Sequence, residues 1–526
     1  MSKNKRVIVI GLDGATWDLI KPWADEGELP TFKKLMEDGV WGYLESTIPP
    51  ITGPAWVSFS TGKNPGKHGI FDFVYFENGR LKLHTSEDIK CKTIYEILSK
   101  KGLRSVIIGL PLSFPPPEGF NGIMVSDFLY PHKEIFPSNK LEYIKDYKVV
   151  PDLSKRGVKL IEDMVETAKK QIQAAKKMLI DEKWDFYFYL YPLTDSISHH
   201  FWKELKGNTK IGQTARKIFQ IADEFLSWLL DQIDENTILI LMSDHGFGDY
   251  SYKINLNIIF KKYGFLKTKI VENPSEIDET LGEHVMNNLL HKKVRILSIP
   301  KVLFKLATLP LIKPIAKAIF GFIFRQNRVQ INPEKIDFNN SIAFIPTSES
   351  LGIYVRDENS RKKQEITNKI MSILNELEFN KQKVFKKILR KNEVYSGPFV
   401  ESAPEILLIP NGFFVSPALR GNIFEKFEPC SFHDIYGIFL VYGPGIKKGY
   451  KIENAKIYDI APTILHILGL PIPNDMDGRV LMEIFEPNSE LAKRQPVHVD
   501  PSYYDKKSEE DRLKLKIKEL KFKRKI

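Results

Sequence analysis

Short apolar runs rich in β-branched residues alternate along the chain with longer segments in which apolar residues recur every three or four positions. The short runs predict strands at residues 6–10, 104–110, 185–190, 237–242, 342–345, 406–409 and 438–442. The longer segments predict helices at residues 29–37, 93–101, 159–180, 209–232, 361–377 and 460–468. This alternation is typical of an α/β protein whose mostly parallel central sheet carries helices on both faces.

A lysine-rich apolar segment at about residues 255–335 interrupts the alternation. It contains IPKVLFKLATLPLIKPIAKAIFGFIFR, in which Lys301, Lys305, Lys313 and Lys317 break up the apolar runs. A membrane-spanning helix would need roughly 18 or more apolar residues with few charges. We therefore expect one large domain over residues 1–490 with an inserted cap region at about 255–335, followed by a basic tail over 491–526.

The net charge of +11 is concentrated in two segments of the chain. Residues 291–325 contribute +8 and residues 506–526 contribute +6, so the remaining chain carries about −3. A main body without excess positive charge argues against a nucleic-acid partner, whereas local basic segments suit an anionic membrane surface. The alternative for 291–325 is a cap over a binding crevice, with its lysines left in water.

Two further features bear on the compartment. Cys91 and Cys430 are too few for a disulfide framework or a cysteine metal cluster, which suits a reducing interior. The apolar run that follows the basic first residues is too short for a signal peptide. We therefore expect a cytoplasmic protein, which the basic segments could hold at the inner face of the membrane.

Polar residues that can bind metal ions follow three of the predicted strands. The first strand ends at Asp13, another ends at the pair Asp244 and His245, and a third is followed by Asp195 and, four residues on, His199. Carboxyl ends of parallel strands meet at one edge of a sheet, and mixed carboxylate and imidazole ligands suit zinc, manganese or iron. Taken singly, each of these residues could instead be a turn residue or a helix N-cap.

Thr52 raises a related question, because it lies between prolines and glycines in PPITGPAWVSFSTGKNPGKHGIFDF. The stretch predicts a strand-to-helix elbow that places the hydroxyl at a helix N-terminus, where backbone N–H groups attract anions. The alternative is an N-cap threonine followed by a surface turn.

In this order and spacing the motifs resemble the alkaline phosphatase superfamily, and within it the type I phosphodiesterase and nucleotide pyrophosphatase family. The resemblance extends over most of residues 6–481. It rests on GLDG and LPTFKKLMEDG, the Thr52 loop ending in TGKNPGKHGI, the Asp195 and His199 pair, SDHG at Asp244, a late His433, and DIAPTILHILGLPIPNDMDGRVL. It implies an alkaline-phosphatase-like fold whose large domain is catalytic.

The resemblance also implies a hydrolase with two divalent ions, zinc or alternatively manganese. One ion would be held by Asp195, His199 and His433, and the other by Asp13, Thr52, Asp244 and His245. Thr52 would attack phosphorus and form a covalent phospho-threonine. His433 departs from the family pattern, because Asp434 follows it where the family prefers glycine.

Other departures concern the substrate. The family's nucleotide pyrophosphatases end the motif that begins at His68 with a phosphate-binding asparagine, where this chain has Phe73. Lys63, Lys67 and His68 could replace that ligand, although a solvated turn is the alternative role for the lysines. A sulfatase would need a cysteine or serine at the start of a C/S-x-P-x-R signature, and TGPAW has neither that residue nor the arginine.

We therefore expect a phosphoric-ester hydrolase for a small-molecule substrate, with diesters preferred over monoesters. A phosphotransferase or mutase of the phosphoglycerate mutase type is the first alternative, although such enzymes usually carry serine where Thr52 stands. A non-catalytic membrane-surface protein is the second, and the complete set of metal ligands argues against it.

Overall fold

The structure is a computed structural model that describes residues 5–77, 80–130, 132–270, 295–297, 329–331, 334–347, 350–427 and 431–505. Its centre is a nine-stranded sheet in the described part of the chain. In spatial order the strands are Tyr450–Lys456, Val40–Glu45, Tyr436–Tyr442, Thr237–Met242, Arg6–Leu12, Phe186–Tyr191, Ser105–Ile108, Gly122–Val125 and Ile135–Phe136. Most neighbours are parallel; Tyr436–Tyr442 is antiparallel to both its neighbours, and Ile135–Phe136 is an antiparallel edge strand.

Helices cover both faces of this sheet. The α-helices are Trp17–Asp25, Pro30–Asp38, Thr52–Thr61, Pro65–His68, Ile94–Lys100, Val158–Asp181, Leu193–Lys206, Lys210–Leu230, Leu256–Lys262, Ser360–Glu376, Lys391–Val394, Ile460–Ile467 and Glu490–Lys493. Short 3-10 helices are Ser86–Asp88, Ser138–Ile144, Val400–Ser402, Ile457–Asp459, Met482–Ile484 and Pro501–Tyr504.

The strand Arg6–Leu12 shows why the sheet has two apolar faces. Ile8, Ile10 and Leu12 pack in one core cluster with the long helices Val158–Asp181 and Lys210–Leu230. Val7 and Val9 point the other way, into a second cluster with the Thr52 and Ile460 helices. Alternate residues of a strand point to opposite faces, so a continuous apolar run indicates a strand buried on both.

A smaller, mostly antiparallel region packs around a third core cluster, in which only Tyr252–Asn255 and Phe413–Ser416 pair in parallel among its described strands. Its four-stranded sheet has the order Ala343–Phe344, Gly352–Val355, Ile406–Pro410 and Phe385–Arg390. A three-stranded sheet has the order Phe413–Ser416, Tyr252–Asn255 and Phe424–Lys426. The remaining pairs are Val74–Glu77 with Arg80–Leu83, Gly246–Asp249 with Ser431–Asp434, Thr268–Ile270 with Glu334–Ile336, Arg295–Leu297 with Val329–Ile331, Glu378–Phe379 with Gln382–Lys383, and Ile472–Pro473 with His498–Val499.

The expectation of an α/β fold with a mostly parallel central sheet is confirmed. The strands expected at 342–345 and 406–409 form, but they belong to the antiparallel region. Periodicity reports burial and not sheet membership, so the sequence could not separate the two sheets.

Three expectations reach beyond what the structure describes. Apart from the short strand Arg295–Leu297, residues 271–328 of the predicted cap lie outside the described residues, as do residues 506–526 of the tail. The domain boundary at 490 stays a prediction; Leu491 and Tyr504, beyond it, pack in the second core cluster. A search of the described residues finds no helix long and apolar enough to cross a membrane.

Candidate metal centre and active site

Neighbouring parallel strands place the first group of site residues. Arg6–Leu12 pairs in register with Thr237–Met242 on one side and with Phe186–Tyr191 on the other. Asp13 directly follows the first strand, and Asp244 and His245 follow the second. All three side chains are buried, so the predicted convergence at one edge of the sheet occurs.

Gly14 allows the turn after the first strand to lie close to Asp244 and Asp195. Gly14 has a φ of +61°, and its N–H donates a hydrogen bond of 3.1 Å to Asp244 Oδ1. A Cβ at this position would lie 2.7 Å from the ring of Phe247 and 3.0 Å from Asp195 Oδ1. The turn after the first strand therefore requires glycine for its conformation and for the space beside Asp195.

His245 is the centre of one group of ligand atoms. Its Nε2 lies 3.2 Å from Thr52 Oγ1, 3.4 Å from Asp244 Oδ2 and 3.7 Å from Asp13 Oδ1. Thr52 is the first residue of the buried helix Thr52–Thr61, as the predicted elbow requires. The four residues proposed for one ion are therefore brought together.

Asp195, His199 and His433 form the second group. Asp195 Oδ1 lies 3.3 Å from His199 Nε2 and 3.6 Å from His433 Nε2, and the two Nε2 atoms are 3.1 Å apart. Asp195 and His199 lie four positions apart near the start of the helix Leu193–Lys206. His433 arrives on the strand Ser431–Asp434, where it pairs with Phe247.

The two groups adjoin each other through their histidines. The rings of His245 and His433 stack with centroids 3.7 Å apart. Ligand atoms of Asp195, His245 and His433 also lie within 4.8 Å of one another, as do those of Asp13, Asp244 and His245. Asp195, His199 and His433 also lie within 3.6 Å of one another through the atoms measured above, so these three residues form a candidate set for a single ion.

Backbone carbonyls fix the orientation of two imidazoles. His245 Nδ1 donates to the carbonyl of Gly246 at 3.0 Å, and His433 Nδ1 donates to that of Pro50 at 3.1 Å. Because a carbonyl can only accept, each Nδ1 carries the proton, and each neutral ring turns the lone pair of Nε2 into the site. A hydrogen bond from the other ring nitrogen is the usual support of a metal-binding histidine.

The residues present fit divalent metal ions. Two ligands of a tetrahedral ion with bonds of ~2.0–2.2 Å lie about 3.3–3.6 Å apart. The separations within the two groups, 3.1–3.7 Å, match this value. Moreover, Asp13 Oδ1, Asp195 Oδ1 and Asp244 Oδ2 are buried and accept no hydrogen bond from the described residues. Buried carboxylate oxygens without donors are costly unless a cation compensates them.

The acid–base properties of the site reflect this crowding of carboxylates. Burial, followed by the negative charges of Asp244 and Asp195, raises the pKa of Asp13 well above its usual value. Burial also raises the pKa of Asp244, against the opposing effect of His245. Burial would raise the pKa of Asp195 too, but the charge of His199 beside it outweighs burial and holds that pKa well below its usual value.

His433, a candidate ligand, is held neutral by its surroundings. Burial, and then the charge of His245, lower its pKa to about 3. A metal ion binds the lone pair of neutral imidazole, so this shift favours binding near neutral pH.

The site opens into a cleft. Asp13, Thr52, Asp195, His199 and His433 line its floor together with Ser196 and His200. The rest of the lining consists of Phe73, Phe128, Val149, Val150, Pro151, Leu153, Pro192 and Leu193. Thr52 is therefore within reach of a small molecule that enters from solvent.

Lys63 and His68, predicted as substrate ligands, are not among the residues that line this cleft. Lys63 is 5% exposed and forms an ion pair with Asp475. His68 is fully buried, its Nε2 donates to Ser58 Oγ at 2.9 Å, and burial lowers its pKa to about 3. Lys67 likewise pairs with Asp477 at 2.6 Å. The TGKNPGKHG turn therefore docks on the loop around residue 476, and the geometry gives the substrate role of Lys63 and His68 no support.

Sequence reasoning missed several residues that position the ligands. The Thr194 hydroxyl donates to the carbonyl of Asp13 at 2.6 Å, and the Tyr250 hydroxyl donates to the carbonyl of His433 at 3.0 Å. The Phe247 ring packs edge-on against the imidazoles of His199 and His433. The position of Phe247 directly after the SDHG motif was the one available signal for it.

Comparison with known proteins agrees with this geometry. A family model described as type I phosphodiesterase / nucleotide pyrophosphatase matches residues 7–310. The matched range contains the proposed ligands Asp13, Thr52, Asp195, His199, Asp244 and His245 but not His433.

Solved structures share the fold at low sequence identity. Phosphonoacetate hydrolase from Sinorhizobium meliloti superposes with a TM-score of 0.54 at 14% identity, over 88% of this chain and 96% of that one. Human ectonucleotide pyrophosphatase / phosphodiesterase 5 gives a TM-score of 0.50 at 13% identity, over 92% of this chain and 100% of that one. These similarities confirm the expected alkaline-phosphatase-like fold.

Two curated relatives, both 2,3-bisphosphoglycerate-independent phosphoglycerate mutases, match over short stretches. The 2,3-bisphosphoglycerate-independent phosphoglycerate mutase of Bacteroides thetaiotaomicron is 40% identical over 59 residues. The match spans 11% of this chain and 12% of the mutase, so the chain covers only a small part of the curated relatives it matches.

Proposed function

We propose a reaction for this site from the premise that the chain belongs to the type I phosphodiesterase / nucleotide pyrophosphatase family. It is a hydrolase acting on phosphoric ester bonds, in a family of metal-dependent enzymes for small phosphoric esters. The proposed reaction is hydrolysis of a phosphodiester by a threonine nucleophile at a site whose residues would hold two divalent ions. The observation that carries it is the set of three buried carboxylate oxygens without hydrogen-bond donors beside Thr52.

The residues would divide between the ions as their distances suggest. Asp13, Thr52, Asp244 and His245 would hold one ion, and Asp195, His199 and His433 the other. Zinc suits these nitrogen and carboxylate donors, and manganese is the alternative. When bound, two such ions supply positive charge that lowers the pKa of a hydroxyl at the site and stabilises the attacking and leaving oxygens.

Thr52 carries the covalent chemistry in this proposal. Its hydroxyl loses a proton to solvent, Oγ1 forms a bond to phosphorus, and the ester oxygen opposite departs with the bonding electrons and takes up a proton from water to give the alcohol. Water then attacks phosphorus, the bond to Thr52 Oγ1 breaks, and Oγ1 takes up a proton, which restores the hydroxyl and leaves a phosphomonoester as the second product. The helix N-terminus at Thr52 favours the negative phosphoryl group near its backbone N–H groups.

A substrate panel tests the proposed reaction. Purified protein supplied with zinc or manganese is given bis(p-nitrophenyl) phosphate, p-nitrophenyl phosphate and p-nitrophenyl sulfate, and nitrophenolate release is followed by absorbance. We expect the diester to be cleaved at least about tenfold faster than the monoester, with negligible release from the sulfate. A dominant monoesterase or sulfatase activity would contradict the proposal.

Phosphoryl transfer to an alcohol is a second candidate, and the short match to phosphoglycerate mutases is the observation that favours it. A transferase would move the phosphoryl group from Thr52 to an acceptor hydroxyl instead of to water. Product analysis with glycerol or 3-phosphoglycerate added to the diester assay distinguishes the two. Exclusive release of the hydrolysis product supports the hydrolase.

A further inference from the structure

One wall of the cleft beside Thr52 is apolar. Six residues form it: Phe73, Phe128, Val149, Val150, Pro151 and Leu153. The ring of Phe73 lies over the start of the nucleophile helix, since a Cβ on Gly53 would be only 3.1 Å from it. Apolar surface therefore begins directly beside the proposed nucleophile, and further apolar residues line the same cleft.

The part of the wall that lies in residues 149–153 is held in place by the helix Val158–Asp181. Asp163, on the helix Val158–Asp181, forms ion pairs with Lys148 and Lys155 and accepts a hydrogen bond of 2.7 Å from the N–H of Asp152. Gln171, two turns further on, donates to the carbonyls of Lys148 and Val149, each at 2.9 Å. A loop fixed at both ends of its apolar stretch is a preformed surface, which lowers the entropy cost of binding against it.

The charges of the residues along the cleft also favour a ligand that carries little negative charge. None of the described residues that line the cleft is a lysine or an arginine. A polyphosphate chain would leave several negative charges without partners there, whereas a diester carries a single negative charge that the metal centre can meet. The wall instead offers contact to carbon and hydrogen, which water would otherwise have to cover.

We propose that this wall binds an apolar organic group of the substrate, so that the enzyme acts on phosphodiesters with an aryl or alkyl substituent in preference to nucleotides. The inference rests on the proposed function, because the group must be attached to the phosphorus that Thr52 attacks. The wall and the nucleophile line the same cleft, so the group that binds the wall is the organic substituent of the substrate. Aryl and alkyl groups share the chemistry that the wall recognises.

A homologous series of substrates tests the proposal. Methyl, butyl and octyl p-nitrophenyl phosphate differ only in chain length, phenyl p-nitrophenyl phosphate supplies the aryl group, and thymidine 5′-p-nitrophenyl phosphate supplies a nucleoside. Complete burial of one methylene corresponds to roughly fourfold in affinity (~0.8 kcal/mol). We expect kcat/KM to rise at least about tenfold from methyl to butyl, and the octyl or phenyl ester to exceed the thymidine ester. The same series bound to the Thr52→Ala variant should give dissociation constants in the same order without turnover.

Two valines provide a matched pair of variants. Val150 is 41% exposed and lines the cleft, whereas Val158 is 43% exposed and does not. Val150→Asn should flatten the dependence on chain length in both kinetics and binding, while Val158→Asn should leave it unchanged. Both positions are at the surface, so neither variant should impair folding.

The outcomes separate this inference from the proposed function. Equal kcat/KM and equal affinity across the alkyl series, or a thymidine ester that exceeds both the octyl and phenyl esters, would overturn the inference while leaving a phosphodiesterase. A protein that hydrolyses none of the diesters would overturn the proposed function, and the inference with it. Preference for octyl over phenyl, or the reverse, then assigns the substituent to the alkyl or the aryl class.

Discussion

The carboxylate of Asp163 provides a quantitative test of how the cleft wall is stabilised. Its side chain is 2% exposed and is surrounded by the Lys148 and Lys155 ammonium groups and the N–H of Asp152. Burial alone would raise its pKa, but the hydrogen bonds from Lys148, Lys155 and Asp152 outweigh burial and lower the pKa to about 2, from an ordinary value of 3.8. Asp163→Asn keeps the shape of the side chain and removes this charge.

The expected loss follows from the pKa difference. A shift of about two units corresponds to roughly 2–3 kcal/mol at neutral pH. The two lysines are 26% and 40% exposed, so water screens part of the attraction, and we expect Asp163→Asn to cost about 1–2 kcal/mol. Because the folded pKa lies below the unfolded one, this stabilisation is fully present above pH 3.8 and is lost as the pH falls through about 2.

Urea unfolding of both proteins at several pH values measures the effect. Glu166→Gln is the matched control, because Glu166 lies one turn further along the same helix, has its side chain 54% exposed and forms a single ion pair, with Lys170, among the described residues. The control should unfold like the wild type, and the deficit of Asp163→Asn should shrink between pH 5 and pH 2. An Asp163→Asn protein as stable as the wild type at pH 7, or a deficit independent of pH, would refute the reasoning.

Three further predictions concern the nucleophile, the turn beside it and the basic segment. Thr52→Ala should abolish diester hydrolysis while retaining fold and metal content, and Thr52→Ser should keep part of the rate; a near-wild-type rate for alanine would exclude the covalent mechanism. Gly14→Ala should lose activity, because the added Cβ would collide with Phe247 and Asp195 Oδ1, whereas the control Gly27→Ala, also at positive φ but with no atom within 4 Å of its Cβ, should lose only about 1 kcal/mol of stability. Equal activities of the two variants would contradict this account. If residues 291–325 bind membranes, the full chain should sediment with anionic vesicles at low salt but not at high salt. If it sediments with neither neutral nor anionic vesicles, the cap is the remaining role for this segment.

Part of the site could be predicted because parallel strands impose it. Asp13, Asp244 and Asp195 follow strands that lie side by side, so any register that buries their apolar runs brings the three carboxylates to one edge. His433 entered only through the family resemblance. It reaches the site on an antiparallel strand that pairs with Gly246–Asp249, and a single sequence contains no local signal for a pairing across so many residues.

The substrate roles predicted for Lys63 and His68 depended on tertiary contacts that a single sequence does not reveal. Their turn has the glycines, lysines and histidine of an anion-binding loop, but whether such side chains point to a ligand or to another part of the protein depends on what packs against them. Here the loop containing Asp475 lies more than 400 residues further along the chain and pairs with Lys63. The Nε2 of His68 is similarly engaged within the protein, by its hydrogen bond to the hydroxyl of Ser58.

The most direct test of a two-metal phosphodiesterase is a metal titration of the chelated enzyme. Protein freed of metal is titrated with zinc or manganese while bound metal and hydrolysis of bis(p-nitrophenyl) phosphate are measured on the same samples. We expect two equivalents to bind per chain, and the rate to reach its maximum only as the second equivalent binds. Full activity at one equivalent or fewer, or a chain that never holds more than one ion, would contradict the proposed mechanism.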